Sequence, residues 1–218
     1  MRLNLLGHAT FFLESSKGTR LITDPYQPGF KNMIDHQPIT LEADVVTISH
    51  DHGDHSYVEG LPGRPEVFRG QGSWQIADIE LQSISSFHDN VEGAARGPNT
   101  IFTITMDGLR TCHLGDLGHI LSETQINSIG PVEILLVPIG GNFTVGPEDA
   151  LAIAKRIGAP IWIPMHYKTK KVGFQLAALE EFLGLIENIN VERREELIIE
   201  NANSLAKDTR VYILESIF

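Results

Sequence analysis

The sequence predicts a mixed α and β protein, in which two packed sheets carry helices on their outer faces. Short apolar runs bounded by turn residues fill the first half of the chain, which is typical of strands. In the second half such runs alternate with segments of helical period. No repeat, low-complexity segment or long linker interrupts the 218 residues, so we expect one domain over residues 1–218.

The N-terminal strands are predicted from apolar runs that end at turn residues. Residues 3–6 and 10–13 form a hairpin, and residues 20–23 form a third strand. That strand ends at Asp24, because the residue before a proline avoids helical geometry and the proline lacks a donor. Residues 26–40 contain two prolines and show no clear period, so we expect a loop near the mouth of a site.

The remaining elements follow from the same signals. Asp107-Gly108 predicts a hairpin turn, and Pro147 occupies the first position expected of a helix that Gly158 ends. Predicted helices cover residues 122–129, 147–157 and 176–186. Predicted strands cover residues 45–48, 66–68, 75–79, 81–86, 100–106, 109–113, 134–137, 161–163, 196–200 and 210–214.

A cluster of three histidines and two aspartates lies within residues 50–55, directly after the buried strand at 45–48. His50 and His52 are two residues apart, so in an extended chain they point the same way. Gly53 then permits a turn that brings Asp54 and His55 in from another direction. Imidazole and carboxylate suit a borderline divalent metal, above all zinc. Because adjacent Asp54 and His55 cannot easily bind the same ion as the first pair, we expect two metal ions.

This motif resembles the signature of the metallo-β-lactamase superfamily, and the resemblance covers nearly the whole chain. It is most similar to the compact branch that includes ascorbate-6-phosphate lactonase-like and other metal-dependent hydrolases. The resemblance implies an α+β fold, a four-layer αββα sandwich with the metals at one edge between the sheets. The other matching landmarks are Gly7-His8-Ala9-Thr10, Thr23-Asp24-Pro25, His88, His113-Leu114-Gly115-Asp116 and Pro164-Met165-His166-Tyr167.

The same resemblance implies a set of metal ligands. A first metal is expected to bind three histidines, a second metal two histidines and one aspartate, and a bridging carboxylate both ions. We expect two Zn²⁺, with Mn²⁺, Fe²⁺ and Ni²⁺ as alternatives. The implied ligands are His50, His52 and His88 for the first metal, Asp54, His55 and His166 for the second, and Asp116 as the bridge.

Other polar residues near these landmarks have open roles. His113 is interpreted as a residue beside the ligands, with a ligand and a core histidine as alternatives. Asp24 is expected to accept the free ring N–H of a ligand histidine, or else to cap a strand end. His8 is expected to contact substrate, or else to be a buried, hydrogen-bonded histidine. His119 lines the pocket or lies in a plain loop, and His36 is expected at the surface.

Two further residues are weighed as substrate contacts. Asn142 lies in a glycine-rich segment, 140–144, where a helix-entry turn is the favoured interpretation. The glycines of this segment permit a close approach of backbone or ligand. Lys168 follows His166 by two residues and is expected to be solvated, with an anionic substrate group as the alternative partner.

The predicted function is hydrolysis by a zinc-dependent enzyme of unknown substrate. A metal-bound hydroxide would attack an ester, lactone or phosphodiester, with Asp54 and His8 as the catalytic residues. Two alternatives remain. One is the di-iron redox class of the superfamily, whose members resemble one another in a His-x-Glu-x-Asp pattern at the first motif, whereas this chain has His52 in place of the glutamate. A non-catalytic, metal-binding regulatory protein would keep the same ligands without turnover.

The composition of the chain limits the classes of molecule that it is expected to bind. Lys and Arg total 17 against 28 Asp and Glu, a net charge of −11, which disfavours nucleic acid and anionic membrane. No apolar run approaches the roughly 20 residues of a membrane span. Cys112 is the only cysteine, so no internal disulfide forms, as suits the cytoplasm. We expect a small-molecule substrate, and the sequence is compatible with an anionic one. It is also compatible with a homo-oligomer.

Overall fold

The computed structural model describes residues 1–202, 205–206 and 208–218, and the strands of these residues form two packed sheets. The first sheet has the order β13-β1-β2-β3-β4-β5. Strands β1 to β3 are antiparallel neighbours, and β3, β4 and β5 run parallel. The strands are β1 (Arg2–Gly7), β2 (Thr10–Glu14), β3 (Arg20–Thr23), β4 (Val45–Ile48), β5 (Glu66–Arg69) and β13 (Leu197–Ile198).

The second sheet has the order β12-β14-β11-β10-β9-β8-β7-β6. Its β6 to β9 half is an antiparallel meander, and the strands from β9 across to β12 run parallel. The strands are β6 (Gly72–Ile76), β7 (Ile79–Phe87), β8 (Pro98–Met106), β9 (Leu109–His113), β10 (Ile134–Pro138), β11 (Ile161–Met165), β12 (Asn190–Arg194) and β14 (Arg210–Leu214).

The main core lies between the sheets. In β2, Phe11 and Leu13 belong to this core whereas Phe12 packs on the outer side, as the two-residue period of a strand requires. Phe102 of β8 and Leu136 of β10 meet them from the second sheet. The alternation visible in the sequence therefore sets which face of each strand is buried.

Three α-helices cover the outer face of the second sheet: α1 (Glu123–Ile129), α2 (Pro147–Ile157) and α3 (Leu179–Leu183). The predicted bounds of α2 are confirmed, with Pro147 in the first turn and Gly158 at φ 72° after the last. The first sheet is covered instead by irregular chain with two 3-10 helices, Phe30–Asn32 and Val58–Gly60. The predicted layered α+β sandwich is confirmed, but its outer layer on this side is mostly loop.

Two boundary predictions are wrong. The helix predicted over 176–186 shrinks to α3, because Ala177 N–H donates to Gly140 O and Ala177 O accepts from Lys168 N–H, so these groups are used outside any helix. The strand predicted over 75–79 is divided by a turn at Ala77, where φ is 51°, and β7 begins at Ile79. Edge strand β12 has an exposed, polar pattern and was missed. No helix in the described ranges is long and apolar enough to cross a membrane.

Candidate metal centre

Six strand ends meet at one edge of the two sheets, and each is followed by a residue of the site. In the first sheet β1, β3 and β4 end next to His8, Asp24 and the 49–55 segment. In the second sheet β7, β9 and β11 lead to His88, Asp116 and His166. Side chains far apart in sequence therefore lie together because the strands that carry them end at the same edge.

The first group of side chains contains the histidines predicted for the first metal. One ring nitrogen from each of His50, His52 and His88 lies within 4.8 Å of the others. The ring centroids are 4.6 Å apart for His50 and His52 and 4.7 Å apart for His50 and His88. Three imidazoles at this spacing form a suitable set of zinc ligands.

The second group contains the predicted Asp54, His55 and His166, and also His8. One atom from each lies within 4.8 Å of the others. His8 Nε2 is 3.6 Å from Asp54 Oδ2, and the His8 and His166 ring centroids are 4.2 Å apart. The His8 side chain is fully buried and belongs to this group.

Asp116 lies between the two groups. Its Oδ2 is 3.2 Å from His88 Nε2 and 3.7 Å from His50 Nε2, both in the first group. The same oxygen is 3.3 Å from His166 Nε2, and Oδ1 is 3.3 Å from His55 Nε2, both in the second group. One carboxylate thus faces ring nitrogens on both sides, as a bridging ligand must.

The cluster fits metal ions, because its buried polar atoms are otherwise left without partners. An unpaired polar atom in the interior costs free energy, and such atoms are rare in folded proteins. Divalent cations would accept lone pairs from some of these atoms, with one nitrogen of each neutral imidazole keeping its proton. Within the described residues, the site atoms that are buried and lack a hydrogen-bond partner are His8 Nδ1 and Nε2, His50 Nε2, His55 Nε2, His88 Nδ1, Asp116 Oδ1 and His166 Nδ1.

Asp24 orients two of the histidines, His55 directly and His50 through Ser49. His55 Nδ1 donates to Asp24 Oδ2 at 3.1 Å, which confirms the predicted hydrogen bond between this aspartate and a histidine of the cluster. The Ser49 hydroxyl donates to the same carboxylate, and His50 Nδ1 lies 2.9 Å from that hydroxyl. Nδ1 donates in both rings, and Nε2 of each faces Asp116. A metal bound to His55 would take the place of the proton on its Nε2.

Burial and charge set the protonation of the cluster. Burial lowers the pKa of His8 and of His50 to about 3, so both rings are neutral and able to bind metal. Burial also opposes charge on His55, yet neighbouring carboxylates, Asp116 foremost, raise its pKa to about 10. Burial opposes ionisation of Asp116, but electrostatic interaction with His166 and His55 holds the pKa of that carboxyl well below its usual value. The carboxylates therefore stay ionised and attract a cation.

The backbone at the site is unusual. His8, Asp24 and His166 all have left-handed backbone, with φ of 55°, 40° and 53°, which non-glycine residues rarely adopt. His166 N–H donates to His8 O at 3.2 Å and ties the two sheets together. Gly140 lies so close to His166 that a Cβ there would be 2.1 Å from its carbonyl oxygen, which confirms the predicted close approach. Such conformations concentrate at functional sites.

The other histidines lie outside the two groups of candidate metal ligands. His113 Nε2 is 3.0 Å from Ala9 O and its Nδ1 accepts from Gly115 N–H, so it is a buried core histidine. His119 bonds to the backbone of its own loop and of Phe87. The prediction that His36 is at the surface is wrong: its ring is buried, with Nδ1 2.8 Å from the Phe218 carbonyl oxygen.

The remaining candidates have structural contacts. Lys168 Nζ donates to Val172 O at 2.9 Å and to Phe174 O at 3.2 Å, so it holds the following loop. Asn142 Nδ2 donates to Gln175 O at 3.1 Å. Both residues thus contact the loop that carries Phe174, one of the walls of the cavity over the metal cluster.

The residues that sequence reasoning missed are those walls. A cavity of about 290 Å³ lies against His52, Asp54, Asp116 and others of the cluster. The loops at 26–40 and 90–99 carry some of its walls, but no sequence period indicates which of their side chains face inward. The missed residues are Phe30, Lys31, Ala95, Arg96, Phe143 and Phe174.

Residues 2–166 match the family model of a β-lactamase superfamily domain. A UPF0173 metal-dependent hydrolase from Methanoculleus marisnigri is 31% identical over 212 residues, which cover 86% of this chain and 89% of that protein. A crystal structure from Thermotoga maritima, described as a candidate zinc-dependent hydrolase of the metallo-β-lactamase superfamily, is 33% identical, with a TM-score of 0.79 and 98% coverage of both chains. The isothiocyanate hydrolase from Delia radicum gut bacteria shares the fold at 16% identity, with a TM-score of 0.69 over 91% of this chain and 99% of that one.

Proposed function

Because this chain belongs to the metallo-β-lactamase superfamily and is a metal-dependent hydrolase, we propose that it binds two zinc ions and cleaves an ester, lactone or phosphodiester of a small molecule. The observation that carries the proposal is Asp116, whose carboxylate faces histidines of both groups. Two dications close together need a shared negative ligand, and this residue supplies it.

The first metal would be held by the first group and the second metal by the second group. We add His8 to the second set, because both of its ring nitrogens are buried without a partner and its Nε2 lies beside Asp54. Zinc in such a site lowers the pKa of water and polarises the scissile carbonyl or phosphoryl group. The proposed ligands are His50, His52 and His88 for the first metal, His8, Asp54, His55 and His166 for the second, and Asp116 between them.

The residues of the chain have distinct roles in this proposal. Asp54 lines the cavity with an ionised carboxylate, so it can accept a hydrogen bond from the attacking water and orient it. Asp24 keeps His55 in the tautomer whose Nε2 faces the site. The walls of the cavity would shield part of a bound substrate from bulk water, which would strengthen electrostatic interactions there.

Other parts of the proposal concern context. A cavity of about 290 Å³ lies near the lower end of the roughly 300–1,000 Å³ typical of ligand sites, which supports a small-molecule substrate. The net charge of −11 supports the absence of a nucleic-acid partner. A single buried Cys112 is compatible with the reducing cytoplasm.

The test is metal content by mass spectrometry on protein purified without added metal, followed by hydrolysis assays with aryl esters, lactones and bis(4-nitrophenyl) phosphate. We expect about two zinc ions per chain and turnover of at least one class. Asp116→Asn should lose metal and reduce kcat/KM by at least about a hundredfold. Asp51→Asn is the matched control, because the Asp51 carboxylate is exposed and pairs only with Arg69 among the described residues.

Each alternative has its own outcome in this experiment. Iron as the main metal, with oxygen- or peroxide-dependent turnover, would identify the di-iron redox class and contradict the proposal. Two bound metals without hydrolysis of any class would identify a metal-binding regulatory protein. Full activity in Asp116→Asn would show that the site assignment is wrong.

A further inference from the structure

The cavity over the candidate metal ligands combines aromatic walls with positively charged side chains. Phe30, Phe143 and Phe174 supply aromatic walls, and the rings of Phe143 and Phe174 meet at 5.6 Å in a T-shaped contact. Lys31 and Arg96 are the only lysine and arginine side chains that line it among the described residues. Aromatic walls bind apolar groups, whereas the two cations need a negative partner.

The Arg96 backbone is held at a fixed position relative to the candidate metal ligands. Its backbone N–H donates to Asp89 Oδ2 at 2.7 Å, and three more amides of the loop donate to the same carboxylate. His88 N–H donates to Gly97 O at 3.1 Å, so both ends of the loop are joined beside a proposed ligand. The guanidinium lies over the Phe143 ring, 5.1 Å from its centroid. A cation so placed is positioned rather than free in solvent.

Neither cation has a carboxylate partner within the described part of the chain. Other arginines do: Arg20 pairs with Asp44 at 3.1 Å and Arg156 with Glu123 at 2.6 Å. The charges of Arg96 and Lys31 therefore remain available to an anionic ligand in this cavity. Lys31 lies over the Phe30 ring at 5.0 Å, and its backbone is left-handed, with φ 48°. The second cation is therefore also held against an aromatic wall.

We propose that the substrate is a small anion in which an apolar or aromatic group joins the scissile bond to a carboxylate or phosphate, bound by Arg96 with Lys31. The phenylalanine walls would hold the apolar group, and the metal cluster would face the scissile bond. Charge-assisted hydrogen bonds from a guanidinium to either anion are strong and directional. This inference rests on the proposed function, because it names the substrate class of that same site.

The experiment compares matched esters on the zinc-loaded protein. Mono-4-nitrophenyl adipate carries a terminal carboxylate too distant for rapid attack on its own ester, and 4-nitrophenyl hexanoate is its neutral counterpart. We expect the wild type to prefer the charged ester in kcat/KM. Arg96→Gln should lower the charged-to-neutral ratio by at least about tenfold, mainly through KM, because it removes a charged hydrogen bond. Lys31→Gln should lower it less, since Lys31 is more exposed. Arg64→Gln is the control, because exposed Arg64 lines none of the described cavities.

Binding separates failure of this inference from failure of the proposed function. If neither ester is hydrolysed, titration calorimetry of the zinc-loaded protein with 4-phenylbutyrate and its neutral amide still tests the inference. The inference is supported if the wild type binds the acid more tightly than the amide, if Arg96→Gln abolishes this preference, and if Arg64→Gln retains it. A third ligand, 3-phenylpropyl phosphate, identifies whether phosphate or carboxylate is preferred. Equal affinity for acid and amide, or equal losses in Arg96→Gln and Arg64→Gln, would overturn the inference.

Discussion

At the scale of single residues, His8 differs most from its sequence-based interpretation. A histidine after a glycine near the start of a chain carries no ligand spacing of its own. The structure buries its ring completely against Asp54 and His166, with both nitrogens lacking partners among the described residues. A neutral imidazole in that environment is suited to bind a cation.

The His8 proposal predicts a metal-binding defect. His8→Asn keeps a residue that tolerates the left-handed backbone at this position, but removes the imidazole. Affinity for the second zinc should fall by at least about tenfold, so dialysed protein should hold about one ion instead of two. The measurement is zinc per chain after dialysis, with thermal unfolding to check the fold.

His119→Gln provides the comparison for that experiment, because the hydrogen bonds of His119 within the described part of the chain go to nearby backbone. It should keep the wild-type zinc content. Retention of two tightly bound ions by His8→Asn would exclude His8 from the ligand set, while leaving the other proposed ligands unaffected.

At the scale of elements, the loop over residues 89–97 depends on one side chain. The Asp89 carboxylate accepts hydrogen bonds from the amides of Val91, Gly93, Ala95 and Arg96, at 2.7–2.9 Å. These bonds hold the pKa of Asp89, against the effect of burial, at about 2. The loop therefore has an ordered conformation without helix or strand, and it places Arg96 on the cavity.

Asp89→Asn should loosen this loop. An amide has one acceptor oxygen fewer and no charge, so several of the four amides lose their partner. We expect those amides to exchange with solvent at least about tenfold faster, and KM for a substrate to rise while kcat changes less. Hydrogen exchange followed by mass spectrometry of the 89–97 peptide measures the first effect.

Glu92→Gln tests whether any charge change in the loop has the same consequence. Glu92 is exposed in the same segment, and its substitution should leave exchange unchanged. If Asp89→Asn also left the exchange of the peptide unchanged, the loop would not depend on this carboxylate.

At the scale of the whole molecule, the two sheets are joined on the side of the β8–β9 turn. Asp107 in that turn accepts hydrogen bonds from Ser16 N–H at 2.7 Å and from the Ser16 hydroxyl at 2.6 Å. Ser16 belongs to the turn between β2 and β3, in the other sheet. Burial opposes ionisation of Asp107, but these bonds and the Met1 amino group lower its pKa below the usual 3.8.

This contact predicts a pH-dependent contribution to stability. Because the folded-state pKa lies below the unfolded value, the contribution is present above about pH 4 and is lost as the pH falls through the folded pKa. Asp107→Asn should reduce the free energy of unfolding by about 1 kcal/mol at neutral pH, and its difference from wild type should shrink in acid. Urea unfolding at pH 7, 5, 4 and 3 measures this dependence.

Glu59→Gln removes an exposed carboxylate away from this turn and should leave stability nearly unchanged. A difference between Asp107→Asn and wild type that stayed constant from pH 7 to pH 3 would show that ionisation of Asp107 does not stabilise the fold.

Much of the fold was predictable because its signals are local. The hairpin at Asp107-Gly108, the start of α2 at Pro147 and its end at Gly158 follow from backbone preferences of those residues. The short α3 was not predictable, because the amides before it bond to Gly140 and Phe174, which are distant or non-helical partners. Tertiary contacts override a helical period when they offer the backbone other hydrogen bonds.

The sequence by itself determined which residue types are available for metal chemistry and which strands deliver them. His50, His52, Asp54 and His55 are recognisable because their spacing after a strand is local information. The family resemblance implied Asp116 as the bridge, and the structure places it between the two groups. Only the tertiary structure decided that His8 joins one of these groups and that Arg96 faces the cavity. Those placements depend on which strand ends meet at one edge and how loops pack there, and such contacts between distant segments leave no period in the chain.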